Sequence, residues 1–135
     1  MRYLALDVSD KRIGKAMAIN LAGTIVMLQT YKRKLLHEDL SHLVEMIIQY
    51  SIDVLVIGQP INMNGSKGYA VDKINKFARR LKDELLKKSI VCKLLLVDER
   101  LSTFAASESS DMDAMAAKII LEQYFAESNL AQEFI

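Results

Sequence analysis

The run "DVLVIGQP" (residues 53–60) lies between two segments of helical periodicity, and the run "IVCKLLLV" (90–97) follows the second of them. Short apolar runs of this length read as buried strands. A strand, a helix and a second strand in one sheet are joined by a right-handed parallel crossover. This alternation requires a sheet with parallel strands and helices packed on it, which is the α/β class.

The remaining elements follow from the same patterning. "YLALDV" (3–8), "RIGKAMAI" (12–19) and "TIVMLQTYK" (24–32) read as three strands in quick succession, hence an antiparallel meander. Leu40, Leu43, Val44, Ile47 and Ile48 recur at three- and four-residue spacing and predict an amphipathic helix over 37–50. Ile74, Phe77, Ala78, Leu81 and Leu85 mark a second helix with Ser66 as its cap, and a last helix is expected over 112–125. The order is β-β-β-α-β-α-β-α, with residues 127–135 expected as a frayed tail.

At 135 residues, 51% hydrophobic and 26% charged, the chain has the makings of one globular domain and not of a disordered linker. Cys92 is the only cysteine, so no internal disulfide can form, and it lies in an apolar run as a small hydrophobe. No apolar stretch reaches bilayer-spanning length, so a cytoplasmic protein that does not enter membranes is expected. The net charge of +1 conceals an asymmetry: residues 72–88 carry seven Lys or Arg against three Asp or Glu, whereas residues 98–135 carry two against eight. A basic helix can follow phosphates or be a solvated face; both readings are open.

Ligands of α/β sheets gather at the carboxyl ends of parallel strands. Asp7 closes the first strand, "GQPINMNGS" follows the fourth, and "DERLST" follows the fifth. Asp7 alone could be a turn residue bonded to its own backbone. Together with Asp98 and Glu99 it resembles a cation site, since hard ions such as Mg²⁺ take oxygen ligands from only one or two carboxylates plus phosphate and water. A third acid would come from the last helix, with Asp113 best placed and Asp111 as its alternate. Adjacent strand residues face opposite sides, so Asp98 and Glu99 compete for one role. One intervening strand would leave the backbones of Asp7 and Glu99 roughly 10 Å apart, a gap that side chains and a metal can bridge. His37 and His42, five apart, miss the same-face spacing of a metal pair and read as surface residues. "GSKG" lacks the ending of a P-loop, so its backbone could hold a phosphate or simply turn.

The segments "LDVSDKRIG", "VIGQPINMNGSKG", "VDERLST" and "DAMAAKIILEQYF", in this order, resemble the YqgF/RuvX family of RNase H-like proteins, described as Holliday junction resolvases and pre-16S rRNA nucleases. The similarity covers residues 2–125. It implies an RNase H-like fold: a five-stranded mixed sheet of order 3-2-1-4-5 flanked by helices. It also implies a phosphodiesterase dependent on Mg²⁺ or Mn²⁺, with Asp7, Glu99 and Asp113 as catalytic and metal-binding acids. Lys11, Arg12 and Gly14 match the turn after the first acid. Gly58, Pro60, Asn62, Gly65, Ser66 and Gly68 match the loop after the fourth strand, and Arg100, Ser102 and Thr103 the segment after the second acid. The candidate nucleic-acid contacts are Lys11, Arg12, Ser66, Lys67, Arg100, Ser102 and Thr103. Departures are Ser9 for glycine, Gln59 for leucine, Asn64 for aspartate and Tyr69 for proline. In addition, the short acidic "FAASESSDM" (104–112) stands where the family has a longer basic segment.

The resulting expectation is an endonuclease acting on structured RNA, first the 5′ end of pre-16S rRNA, and second on branched DNA, as a monomer or weak homodimer. A non-catalytic nucleic-acid-binding factor that keeps the fold is the competing class. An actin-like ATPase is disfavoured, because such sites lie between two domains.

Overall fold

The computed structural model describes residues 1–20, 23–60, 68–99, 111–127 and 131–134. In chain order the elements are β1 (Tyr3–Val8), β2 (Arg12–Ala18), β3 (Ile25–Met27), β4 (Tyr31–Lys32), α1 (Leu36–Gln49), β5 (Val54–Pro60), α2 (Tyr69–Lys87), β6 (Lys93–Glu99), α3 (Asp111–Ala126) and β7 (Ala131–Glu133). One sheet runs β3-β2-β1-β5-β6-β7, with β4 also paired to β2. The pairs β1/β5 and β5/β6 are parallel and the others antiparallel. The strand order expected for the five principal strands is therefore present, but the described sheet has seven strands.

Both extra strands have identifiable causes. The segment read as one strand over 24–32 is divided: Met27 faces Ala16 and Tyr31 faces Ile13, so four steps on one side oppose three on the other. One extra residue in an antiparallel ladder is a bulge, and it separates β3 from β4. The expected frayed tail is also corrected. Ala131–Glu133 pairs with Leu95–Val97, and Phe134 donates its N–H to the Leu94 carbonyl. This gives β6 a partner on what would be an open edge. Helix α2 begins at Tyr69 with Gly68 as its N-cap and no side-chain cap, so the expected Ser66 cap does not hold; Ser66 itself lies outside the described residues.

Alternation along the strands divides the core into two layers. Leu4, Leu6, Ile13, Leu55, Ile57, Leu94 and Leu96 pack beneath α1 and α2, against Leu43, Ile47, Phe77 and Leu81. Tyr3, Ala5, Ala16, Ala18, Val54, Val56, Leu95 and Val97 pack beneath α3, against Ala117, Ile120 and Leu121. The alanines of β1 and β2 let α3 lie close to the sheet.

Among the described residues three polar side chains are buried among the helices α1 and α2 and their strands: Asp39, Lys15 and Gln59, the last donating to Asn75 Oδ1 at 2.8 Å. Asp39 is fully buried, accepts the Lys34 N–H at 2.8 Å and pairs with Arg33 at 2.9 Å. Lys15 is 5% exposed, and its Nζ lies 3.0 Å from His42 Nε2 and 3.4 Å from Met46 Sδ. His42 stacks on Tyr31 with ring centroids 4.1 Å apart, so it is a packed residue and not the surface residue its spacing suggested. Burial, followed by the Lys15 charge, lowers the His42 pKa.

Candidate active site

Strand parity decides which acids can meet. Tyr3 and Ala5 point toward α3, so Asp7, two residues on, points that way too; Leu95 and Val97 do the same for Glu99. Asp98 falls on the opposite face and is exposed. Strand β5 lies between β1 and β6; Gly58 follows Ile57, which faces Leu6, so it stands level with Asp7, and it faces Val97, two residues before Glu99. A Cβ on Gly58 would stand 2.9 Å from Glu99 Oε2 and 2.5 Å from Ile120 Cδ1. The missing side chain is what allows the Glu99 carboxylate to lie over β5, on the Asp7 side.

A second glycine brings in the third acid. Gly14 faces Asp7 in the β1/β2 ladder, and a Cβ there would overlap the backbone carbonyl of Asp113. The first turn of α3 thus rests directly on β2, which carries Asp113 to the strand next to Asp7. Arg12, two residues before Gly14 on the same face, pairs through Nε with Asp113 Oδ2 at 2.7 Å. Arg12 and Gly14, matched to a turn by resemblance, are strand residues; the turn is confined to residues before Arg12. Asp111 opens α3.

The electrostatics set half-buried Asp7 and buried Glu99 apart from the buried acid Asp39. Asp39 has a guanidinium and a backbone N–H, whereas among the described residues no hydrogen bond or ion pair reaches the side-chain carboxylate of Asp7 or Glu99. Burial, with the Asp113 charge adding to it, raises the Asp7 pKa to about 6. Burial, with the Asp7 charge adding to it, raises that of Glu99 to about 7. Two desolvated carboxylates without a counter-charge either keep protons or take up a cation.

The donor chemistry of Asp7 and Glu99 suits a hard divalent ion, for which one or two carboxylates are enough when phosphate and water supply the remaining oxygens. The set of three acids expected to share one ion is not assembled. Among the described residues no group of three or more His, Cys, Asp or Glu side chains is placed to hold a metal ion. Asp113 is instead held by Arg12.

Asp7 and Glu99 stand at one end of a cleft of about 750 Å³ over the carboxyl ends of β1, β5 and β6, which continues along α2 past Tyr69, Lys73, Lys76 and Arg80. Of the candidate nucleic-acid contacts, Lys11 is exposed at the turn before β2 and Arg12 is engaged with Asp113. Ser66, Lys67, Arg100, Ser102 and Thr103 lie outside the described residues, as do Asn62 and Gly65. The α2 cations are cleft residues that the motifs did not single out; the only signal for them was the basic composition of residues 72–88.

A family model described as "RuvX: Holliday junction resolvase" matches residues 1–127. The chain belongs to this family. Relatives named "Putative pre-16S rRNA nuclease" include one from Caldanaerobacter subterraneus subsp. tengcongensis, 38% identical over 138 residues, covering 92% of this chain and 95% of the relative. Another, from Desulforamulus reducens, is 33% identical over 136 residues, covering 92% and 96%. Among solved structures, T. thermophilus RuvC in complex with a Holliday junction substrate aligns with a TM-score of 0.63 at 12% identity, over 99% of this chain and all (100%) of that one. The fowlpox virus Holliday junction resolvase aligns at 0.56 and 17% identity, over 95% and 99%. These neighbours share the mixed α/β fold with a central sheet flanked by helices, the RNase H-like architecture that the motifs imply.

In this RuvX-family chain Gly58→Ala should disturb the site more than the fold, because the added methyl meets side-chain ends and not backbone. The expected cost is about 1–2 kcal/mol, seen as a Tm lower by several degrees, as Ile120 and Glu99 move aside. A melt indistinguishable from wild type would contradict the placement of Glu99 over Gly58.

Proposed function

We propose that this chain is a divalent-metal-dependent endonuclease that hydrolyses phosphodiester bonds in structured nucleic acid, with the 5′ end of pre-16S rRNA as its first substrate. The observation that carries the reading is the pair Asp7 and Glu99: two desolvated, mutually repelling carboxylates at the carboxyl mouth of the sheet, with no counter-charge among the described residues. Such a pair is costly as structure and useful as a cation site.

In this reading Asp7 and Glu99 hold the ion, Mg²⁺ or Mn²⁺, through their carboxylate oxygens. When bound, the ion supplies Lewis-acid stabilisation of charge on the phosphate oxygens. Water attacks phosphorus, the bond to the leaving oxygen breaks, and that oxygen takes up a proton. Arg12 holds Asp113 beside the pair, and a substrate phosphate that drew the Arg12 guanidinium away would free Asp113 to join it. The names of the relatives support a ribosomal precursor as substrate. The family description and the RuvC-like fold support branched DNA as the second reading.

No helix among the described residues is long and apolar enough to cross a membrane. We take the 135 residues as a single catalytic domain working in the cytoplasm, as a monomer or weak homodimer. The test is an incubation of purified protein with a pre-16S 5′ precursor fragment and with a four-way DNA junction, each with Mg²⁺, with Mn²⁺ or with chelator. Metal-dependent cutting of the RNA supports the first reading, and cutting of the junction alone moves the assignment to the second. Binding without cutting in either metal makes the chain a non-catalytic factor.

A further inference from the structure

The cleft that begins at Asp7 and Glu99 continues onto α2, where Lys73, Lys76 and Arg80 line it and Tyr69 stands at its rim, 74% exposed. Spacings of three and four residues place these cations on one stripe, and seven residues of helix extend about 10 Å. Lys73 is already engaged, pairing with Asp10 at 3.1 Å and lying 4.7 Å over the Tyr69 ring. Lys76 and Arg80 are exposed and have no ion pair or hydrogen bond among the described residues. They also line a second groove with Arg79 and Phe134, so the two grooves share one cationic strip.

This arrangement has an electrostatic consequence. A phosphate approaching Asp7 and Glu99 is repelled by them, and residues 98–135 carry two Lys or Arg against eight Asp or Glu. Among the described residues that line the cleft, the cations without an ion pair, Lys76 and Arg80, stand on the other wall. That wall is α2, within a segment carrying seven Lys or Arg against three acids. The floor of the cleft is apolar, lined by Leu36 and by Ile74 and Phe77 of α2 itself, both nearly buried, with the Arg33 guanidinium 5.2 Å over the Phe77 ring. A duplex presents phosphates and keeps its bases stacked inside, whereas unpaired nucleotides bring both phosphates and ring faces, which suit a cationic wall over an apolar floor.

We propose that the α2 side of this cleft seats an unpaired strand flanking the scissile bond, with its phosphates on Lys76 and Arg80 and its bases toward Tyr69 and the apolar floor. The assignment deepens the nuclease reading and rests on it for the identity of the ligand as a nucleic acid. A strand held there leads toward Asp7 and Glu99, so α2 selects substrates with single-stranded flanks.

The experiment measures binding without cutting, by fluorescence anisotropy in chelator. It compares an RNA hairpin carrying a single-stranded 5′ tail with the same hairpin made blunt. The double variant Lys76→Ala/Arg80→Ala is expected to bind the tailed hairpin about tenfold or more weakly. The slope of log K against log salt should fall by about 1.4, two phosphate contacts on a single strand. Blunt-hairpin affinity should change less than twofold, and Lys76→Arg/Arg80→Lys should restore tailed binding. Equal loss on both hairpins, no loss on either, or a wild type that binds neither RNA overturns the proposal. The nuclease reading fails separately: a protein that shows this tail-dependent loss yet cuts nothing in Mg²⁺ or Mn²⁺ keeps the α2 seat and loses the hydrolytic role. Conversely, one that cuts RNA while the double variant binds it normally loses only the α2 seat.

Discussion

Asp7→Asn protein is expected to melt higher than wild type above pH 6 and to lose nearly all cleavage. The two outcomes have one cause. Asp7 and Glu99 have pKa values of about 6 and about 7 in the fold, against ordinary values of 3.8 and 4.5. Between those limits the folded chain binds more protons than the unfolded one, so stability falls as pH rises through roughly 4 to 7. The contribution is whole below the ordinary values and gone above the raised ones. A shift of two units corresponds to about 3 kcal/mol at most for Asp7 alone, and the two carboxylates are not additive, because part of the Glu99 shift is the Asp7 charge. Removing that charge should raise Tm by about 5 °C at pH 8 without divalent ion, with little change at pH 4. Cleavage should fall on the order of a thousandfold, the scale of losing several kcal/mol of charge stabilisation. Melting curves at the two pH values, run beside a cleavage assay, check both. A lower Tm at pH 8 would mean that Asp7 is held by something stabilising, and the cation reading would fail with it.

The second large effect is expected at Gly14. Gly14→Ala puts a methyl group into the backbone carbonyl of Asp113, where no rotamer can relieve it, so the start of α3 must lift from β2. The cost should be about 3 kcal/mol, a Tm drop near 10 °C, with cleavage impaired beyond what the lost stability explains, because Asp113 leaves the neighbourhood of Asp7. Gly58→Ala, meeting only side-chain ends, is the milder control. Equal melts for Gly14→Ala and wild type would show that α3 does not rest on β2 as described.

The contrast between these glycines shows where sequence reading runs out. Asp7 was legible, because an acid at the end of an apolar run needs an explanation and parallel-strand topology supplies one. The choice between Asp98 and Glu99 was not legible in the residue pattern, and Glu99 came only from the family resemblance. Both faces of "LLLV" are apolar, so the run hides its own parity until β6 is registered against β5. The glycines show a turn signal in sequence, and only the packing reveals that each is a missing Cβ beneath an acid. The bulge between β3 and β4 arises from a register against β2 that no local pattern records. Strand β7 is polar, "AQE", and is a strand only because the β6 edge is available to it. His42 reads as a surface residue and no pattern marks Lys15, yet the two pack against each other across 27 positions of chain.

The most direct measurement is anomalous diffraction from a crystal soaked in Mn²⁺ near pH 8, where both carboxylates are ionised. The account requires a metal peak between the carboxylates of Asp7 and Glu99, within reach of Asp113. Saturating Mn²⁺ that leaves this position without a peak, or binds only elsewhere on the surface, would contradict it.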